Sequence, residues 1–184
     1  MTEQFIKFYT NWLAKANGYN ENTLANHFDK FISLYVIYNS LYMEVMSELK
    51  RNGANLPQKF SDKRVATEYV KRYLKPPFYL ENLLNEEQSQ IDLDEICKII
   101  NDELFHIIID WGIPQRQRDI QLVESILSNN KNKKVDAILS LFYYLRCNMF
   151  HGHKGFENKQ SRLLVPVNRL LTKTIEITFN KLNQ

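Results

Sequence analysis

Apolar residues recur three and four positions apart over most of this chain, and that spacing is typical of amphipathic helices rather than of strands. The pattern is strongest over about 22–50, where further apolar residues also fill the opposite side of the helix. A helix that is apolar almost all round is a buried one, so we expect this helix at the centre of the fold. Asn39 lies within it, and a buried amide at that position needs hydrogen-bond partners.

Helices predicted on the same grounds cover most of the remaining chain. In chain order, the predicted helices span about 3–17, 22–50, 62–74, 92–111, 116–128, 134–151 and 161–182. Asp92 and Glu95 have the spacing of a capping box, which sets the expected start of the fourth helix. Pro166 fits the last helix if it falls in the first turn and otherwise kinks it. Residues 78–90 are ambiguous, and 129–134 are predicted to form a loop.

The composition favours an all-α fold. The 184 residues include only 5 Gly and 5 Pro, which are too few turn residues for an all-β sandwich and too few for a low-complexity chain. The length suits one domain, so residues 1–184 are predicted to form a single all-α domain.

The two cysteines and the N-terminal sequence bear on the compartment. Cys97 and Cys147 lie in helical segments without the spacing of a disulfide framework, so both are expected to be reduced thiols. The N-terminal residues do not form a signal sequence, and no run of 18 apolar residues occurs. We therefore expect a cytoplasmic protein that does not cross a membrane.

Charge is distributed unevenly along the chain. The net charge of +3 does not identify a nucleic-acid partner by itself. Residues 81–110 contain nine acidic residues and one lysine, whereas 146–173 contain six basic residues and one glutamate. The basic segment would attract phosphate. Alternatively, the two segments form surfaces of opposite sign that meet within or between subunits.

The helix predicted over 134–151 carries the residues with the clearest chemical potential. On a helical wheel, Arg146 lies in the middle of the apolar stripe, whereas Tyr144, Asn148 and His151 lie on the opposite side. A buried guanidinium must pair, bridge a subunit interface or open into an anion-binding cleft. Because Arg146 and His151 are about 140° apart around an ideal helix, a shared site needs a distorted last turn or a second copy of the helix.

Residues 146–152, Arg-Cys-Asn-Met-Phe-His-Gly, resemble the R-x4-H motif of the HEPN superfamily. Residues 38–42, Tyr-Asn-Ser-Leu-Tyr, are similar to the aromatic-Asn-x-Leu-Tyr signature that such proteins carry on an upstream helix. The resemblance covers about 28–50 and 134–182 and leaves 53–130 unmatched. Many active members place Asn, Asp or His directly after the arginine, where this chain has Cys147.

The resemblance implies a HEPN-like helical bundle of four to five core helices with short additional helices. Two subunits of such a homodimer bring their R-x4-H helices together around one cleft for RNA. The implied activity is that of a metal-independent endoribonuclease without a cofactor, acting as a toxin or an antiviral defence effector. An antitoxin or a regulatory protein is then a further partner. The alternative is a noncatalytic HEPN module that binds RNA, a nucleotide or a partner protein.

The residue types at the motif suit RNA cleavage by the 2′-hydroxyl. An imidazole titrates near neutral pH, so His151 would act as the base and its copy in the other subunit as the acid. Arg146 offers the two-pronged donor that matches phosphate. Asn148, or Tyr144 one turn earlier, would orient the imidazole or the phosphate.

Three further residues are candidates for binding. Lys154 and His153 follow the motif as possible phosphate contacts, with ordinary loop residues as the alternative interpretation. Asn39 is the candidate buried partner of Arg146 or His151, with hydrogen bonds to the backbone as the alternative.

Two weaker interpretations use the same segment. Cys147, His151 and His153 would supply three ligands to a soft metal, but the sequence offers no second ligand cluster. A nucleophilic Cys147–His151 pair has helical spacing but lacks an evident Asp or Asn to orient the imidazole. The sequence contains no Gly-rich phosphate loop, which argues against a nucleoside-triphosphatase.

Overall fold

Helices dominate the computed structural model, which describes residues 1–150 and 159–184, so the predicted all-α class is confirmed. The elements in chain order are α1 Glu3–Gly18, α2 Leu24–Arg51, α3 Asp62–Arg64, a π-helical turn Val65–Tyr69, α4 Val70–Leu74, α5 Pro76–Leu83, α6 Glu87–Asn101, β1 Ile109–Asp110, β2 Ile113–Pro114, α7 Arg116–Leu127, α8 Lys131–Phe150 and α9 Lys159–Leu182.

The first two helices begin at threonine caps. Thr2 Oγ1 accepts a hydrogen bond from the Phe5 amide at 3.2 Å, and Thr23 Oγ1 accepts one from the Asn26 amide at 3.2 Å. Both threonines have the extended backbone that an N-cap requires. The predicted helix boundaries in this part of the chain are therefore confirmed to within a few residues.

α2 is the central helix, as its apolar pattern predicts. Most of its apolar side chains between Phe31 and Leu49 are buried, and the helix packs against both α1 and α9. The Tyr38 hydroxyl donates a hydrogen bond to the Ala66 carbonyl at 2.5 Å, which fastens α2 to the π-helical turn. A helix covered on several sides gains stability along its whole length from apolar burial.

The segment after Ser61 forms α3, the π-helical turn and α4 without interruption. Ser61 Oγ caps it by accepting a hydrogen bond from the Arg64 amide at 3.2 Å. Lys75 then adopts a φ of 63°, which ends α4, and Pro76 begins α5 because its missing N–H is not needed in a first turn. The ambiguous residues 78–90 belong mainly to α5 and to the start of α6.

Two sequence predictions are wrong around α6. The helix begins at Glu87 rather than at Asp92, which is buried within the helix and binds Arg169 of α9. It ends at Asn101 and does not continue to Trp111, which instead forms the turn of the β1–β2 hairpin with Gly112. The apparent capping box therefore has a different role, because a tertiary ion pair uses the carboxylate.

The boundaries of α8 and α9 also depart from the prediction. α8 begins at Lys131 because Asn130 Oδ1 accepts hydrogen bonds from the amides of Asn132 and Lys133, at 3.0 and 3.2 Å. The predicted loop over 129–134 is therefore partly wrong. Pro166 lies inside α9, beyond the first turn.

The apolar stripe predicted for α8 is confirmed for its residues before Arg146, whereas the prediction is wrong for Asn148, which was expected on the opposite side and is buried. The buried members of the stripe are Val135, Ile138, Leu139, Phe142 and Leu145. Cys97 and Cys147 are both free thiols, and burial raises the pKa of Cys97 to about 12. Among residues 1–150 and 159–184, no helix has the combination of length and apolar character needed to cross a membrane.

The acidic and basic segments meet where α6, together with Glu86 just before it, packs against α9. Asp92 accepts a hydrogen bond from Arg169 Nε at 2.9 Å, and Glu86 pairs with Lys173. Asp92 is only 1% exposed, whereas the Arg169 side chain is 45% exposed, so the carboxylate of this ion pair is removed from water and the guanidinium is not. These contacts favour the interpretation that the two surfaces meet within the subunit, and they reduce the basic charge left for phosphate.

Candidate functional site

Arg146 lines a cavity of about 280 Å³ between α1, α2 and α8. The other lining residues are Phe8, Ile32, Tyr35, Val36, Asn39 and Ser40. The guanidinium lies 5.9 Å from the centre of the Tyr35 ring, within the range of a cation–π contact. Arg146 is half-buried, so its charge is partly shielded from water but is still accessible from the surface. A cation in that position is suited to binding an anion.

Three tyrosines lie close enough to Arg146 to interact with its charge. Burial is the largest cause that raises the pKa of Tyr35, of Tyr42 and of Tyr143, the last of these to about 12. All three phenols therefore stay protonated at neutral pH. Tyr35 is 4% exposed, and its hydroxyl has no hydrogen-bond partner among the residues that the structure describes. A buried hydroxyl without a partner costs about 1–3 kcal/mol.

A carboxylate lies close to this group. Tyr42 donates a hydrogen bond to Asp62 Oδ1 at 2.6 Å and also contacts the Asn39 side chain. Asp62, at the start of α3, is exposed and acts on the charge of Arg146 from there. The arrangement therefore has one guanidinium and one carboxylate, with protonated phenols around them.

Asn39 lies at the predicted place but not in the predicted environment. It lines the same cavity as Arg146, so the structure brings together the two sequence motifs. The expectation of a buried amide is wrong, because Asn39 is exposed to solvent on α2. Its described partner is the Tyr42 hydroxyl, which contacts Asn39 Oδ1. The aromatic side chains around it had made the position look buried in the sequence.

Asn148 is not brought to this cavity. Two residues correspond to about 200° around a helix, so Asn148 points away from Arg146. Its side chain is 3% exposed, and its amide donates a hydrogen bond to the Ile107 carbonyl at 2.8 Å. Asn148 also lines a small enclosed cavity of about 110 Å³ with Phe105 and Met149. In this structure, Asn148 holds the chain segment that precedes β1.

Tyr144 binds two cations on another side of α8. Its hydroxyl accepts hydrogen bonds from Lys63 Nζ at 2.6 Å and from Arg118 Nη2 at 3.2 Å. Lys63 and Arg118 also lie 4.5 and 5.9 Å from the centre of the Tyr144 ring. Tyr144 and Arg146 therefore belong to separate surfaces, and a direct role for Tyr144 at the Arg146 cavity stays a prediction.

His151, His153 and Lys154 lie outside the described residues. Their predicted roles as base and as phosphate contacts stay predictions. The expected second subunit is likewise untested, because the structure contains one chain.

Sequence reasoning missed Lys63, Arg118 and Trp111. Lys63 and Arg118 had no signal, because only the folded chain brings them to Tyr144 from separate helices. The sequence did contain a signal for Trp111. Gly112 and Pro114 follow it closely, and a glycine between two short apolar runs is typical of a hairpin turn. The apolar residues before Trp111 fitted a helical period and led to the wrong prediction.

Comparison with known proteins provides no relative for this chain, since no family model, no curated protein and no solved structure matches it. In the part of the chain that the structure describes, no group of three or more His, Cys, Asp or Glu side chains is placed to hold a metal ion.

Proposed function

We propose that this protein is a HEPN-type endoribonuclease that cleaves RNA without a metal ion. The observation that carries the proposal is the meeting of Arg146 and Asn39 at one solvent-accessible cavity. These residues come from the two sequence motifs that resemble the superfamily, and only the folded chain joins them. A guanidinium beside protonated phenols is an environment suited to a phosphodiester.

The proposed reaction is an attack of the 2′-hydroxyl oxygen on the neighbouring phosphorus. His151 takes the 2′-hydroxyl proton while the new P–O bond forms, and the bond to the 5′-oxygen breaks. A second imidazole returns a proton to the leaving 5′-oxygen, so the products are a cyclic 2′,3′-phosphate and a free 5′-hydroxyl. Arg146 stabilises the negative charge that develops on the phosphorane.

The second imidazole is the reason for proposing a homodimer. One subunit supplies one His151, and on an ideal helix a residue five positions after Arg146 would be separated from it by about 140° and roughly 7.5 Å. Two copies of α8 packed around one cleft would supply both a base and an acid. Light scattering at tens of micromolar should therefore report a dimer. A monomer that still cleaves RNA would contradict the composite site.

The decisive experiment incubates purified protein with end-labelled RNA in excess EDTA. The wild type should cleave and leave a cyclic 2′,3′-phosphate, and His151→Ala should lose cleavage while keeping RNA binding. Arg146→Ala should lose cleavage and also bind RNA more weakly, because a phosphate contact is removed. His27→Ala and Arg51→Ala serve as matched controls, since both residues lie near the ends of α2 and do not line the Arg146 cavity.

Two outcomes would favour other functions. Cleavage that EDTA abolishes would replace the proposed mechanism with a metal-dependent one. RNA binding without cleavage would favour the noncatalytic HEPN module, in which Arg146 has a structural role. The cation–π contact between Arg146 and Tyr35 is the observation that supports that second candidate.

A further inference from the structure

The β1–β2 hairpin displays a tryptophan at its tip. Asp110 pairs with Ile113, and Trp111 and Gly112 form the two-residue turn between them. Both turn residues have positive φ, 53° for Trp111 and 80° for Gly112, as in a type I′ turn. Asn and Gly are the usual residues there, because a bulky side chain is strained in the left-handed region. The Trp111 side chain is also 98% exposed.

The hairpin therefore holds a large apolar ring in water and in an unfavourable backbone conformation. Neither feature stabilises the folded chain. Residues kept in such conformations are concentrated at functional sites, where the surrounding structure holds them in place. A tryptophan also contributes more to binding than most side chains, because it covers a large area with few rotatable bonds.

The segment before the hairpin is held firmly by two neighbouring helices. Buried Asp119 of α7 accepts hydrogen bonds from the amides of Ile107 and Ile108 at 3.2 and 2.9 Å. Asn148 of α8 donates to the Ile107 carbonyl at 2.8 Å, and the Gln115 amide donates to the Ile108 carbonyl at 2.8 Å. The indole is consequently presented on a rigid base, and little conformational entropy is lost when it binds a partner.

Cations lie beside the hairpin. Lys63 and Arg118 both donate to the Tyr144 hydroxyl, and Arg118 pairs with Asp110 at the base of the turn. Two positive charges thus share one neutral acceptor and one carboxylate, which leaves the cluster with a net positive charge. Their mutual repulsion would be relieved by an anion.

A cleft between α7 and α8 continues from this cluster. Its volume is about 390 Å³, and its polar lining includes Arg118, Tyr144, Lys133, Ser140 and Gln121. The lining also includes the apolar residues Ile108, Leu122 and Ala137 and the carboxylate of Asp136, which is paired with Lys71. Hydroxyl, amide and cationic groups of this kind suit a phosphate backbone.

We propose that Trp111 and the Lys63–Arg118 pair bind single-stranded RNA, with a base stacked on the indole and the adjoining phosphate between the two cations. This inference rests on the proposed function for the identity of the ligand. Tyr144 and Arg146 are about 200° apart around α8, so this surface lies across the helix from the Arg146 cavity. It would hold the strand outside the reaction centre and contribute to affinity rather than to the chemical step.

The test uses the fluorescence of Trp111. The chain has two tryptophans, Trp12 and Trp111, so Trp12→Phe leaves the exposed indole of Trp111 as the source of the tryptophan fluorescence. His151→Ala is added so that the RNA stays intact during the titration. Single-stranded RNA of about 12 nucleotides, a length within the site size of such proteins, should quench Trp111 on binding. The same strand made of abasic nucleotides should bind more weakly and leave the fluorescence unchanged.

Matched variants distinguish stacking from simple apolar contact. Trp111→Phe keeps an aromatic face and should retain most of the affinity, whereas Trp111→Leu should weaken binding roughly 5- to 100-fold. Lys63→Gln should weaken binding and lower the salt dependence by about one phosphate contact. Ile91→Ala, which truncates an exposed apolar side chain on α6, should leave binding unchanged. Because Trp111 is exposed, its substitutions should not impair folding.

Several results would overturn the inference. Equal affinities for Trp111→Leu and Trp111→Phe would show that the surface does not stack a base, and tighter binding of a duplex would contradict a single-stranded ligand. Unquenched fluorescence at saturating RNA, or no RNA binding at all, would have the same consequence. If the protein cleaves RNA but binding does not depend on Trp111, this inference fails and the proposed function stands. If binding depends on Trp111 but no cleavage occurs, the proposed function fails and this surface stands.

Discussion

Replacing Asn148 with alanine tests whether this motif residue holds the structure together or takes part in the chemistry. The Asn148 amide donates to the Ile107 carbonyl at 2.8 Å, and both lie in the interior. Without the amide, a buried carbonyl loses its partner, which costs about 1–3 kcal/mol. The space left by the missing amide group, about 30 Å³, adds on the order of 0.7 kcal/mol. We therefore expect Asn148→Ala to lower the free energy of unfolding by about 2–4 kcal/mol.

That loss is large enough to measure in two ways. For a chain of this length, 1 kcal/mol corresponds to about 2–4 °C, so the melting temperature should fall by roughly 4–16 °C. The amide protons of Ile107 and Ile108 should also exchange faster, because the segment that carries them is less firmly held. Asn180→Ala is the matched control: Asn180 is exposed on α9, and its truncation should change stability by less than about 0.5 kcal/mol.

The effect on RNA separates the two roles of Asn148. If Asn148 positions the hairpin, Asn148→Ala should weaken RNA binding by loosening the chain segment that holds the Trp111 hairpin. Saturating RNA should then restore most of the cleavage rate. If Asn148 takes part in catalysis, stability should stay near that of the wild type while the cleavage rate at saturation falls about 100-fold or more. A melting temperature within about 1 °C of the wild type would refute this structural role of Asn148.

Three further predictions follow from the charges and the tyrosines. The logarithm of RNA affinity should fall with the logarithm of salt concentration at a slope for about two to four phosphates, since ion pairs with acidic residues use part of the basic segment; a slope near zero would exclude RNA as the ligand. Arg169→Ala should destabilise by about 1–3 kcal/mol in urea unfolding, because the buried Asp92 carboxylate loses its cation and keeps only the hydrogen bond from Gln88. Asp92→Ala should cost less because Arg169 reaches water, and the reverse order would contradict the assigned burial. Because burial raises the pKa of tyrosines such as Tyr35 and Tyr42, stability should be full below the unfolded-chain pKa of about 10 and be lost as the pH rises above it. Absorbance at about 295 nm should show these phenols ionising only as the protein unfolds. Ionisation of all tyrosines near pH 10 in the folded protein would disprove the prediction that burial raises their pKa.

The helical class, the central position of α2 and the apolar stripe of α8 were predictable from the sequence alone. Each depends on the recurrence of apolar residues within one helix, which is a local property and can be identified without knowing which other helices pack against it. The caps at Thr2 and Thr23 were equally local, since an N-cap needs a hydroxyl and an amide three residues later. For the candidate site, the sequence identified Arg146 and Asn39, and the fold places both at one cavity.

Tertiary contacts decided the rest, because they give the same residue types different roles. Asp92 has the spacing of a cap, but Arg169, distant by 77 positions in the chain, makes it a buried ion pair inside α6. Asn39 lies near aromatic residues in the sequence, but within residues 1–150 and 159–184 no neighbouring helix covers its side chain completely, and it is exposed. Trp111 continues an apolar period, but hydrogen bonds from the Ile107 and Ile108 amides to Asp119 hold the preceding segment outside a helix. Periodicity reports which face of a helix is apolar, whereas the partner of a polar group is set by which distant elements the fold brings beside it.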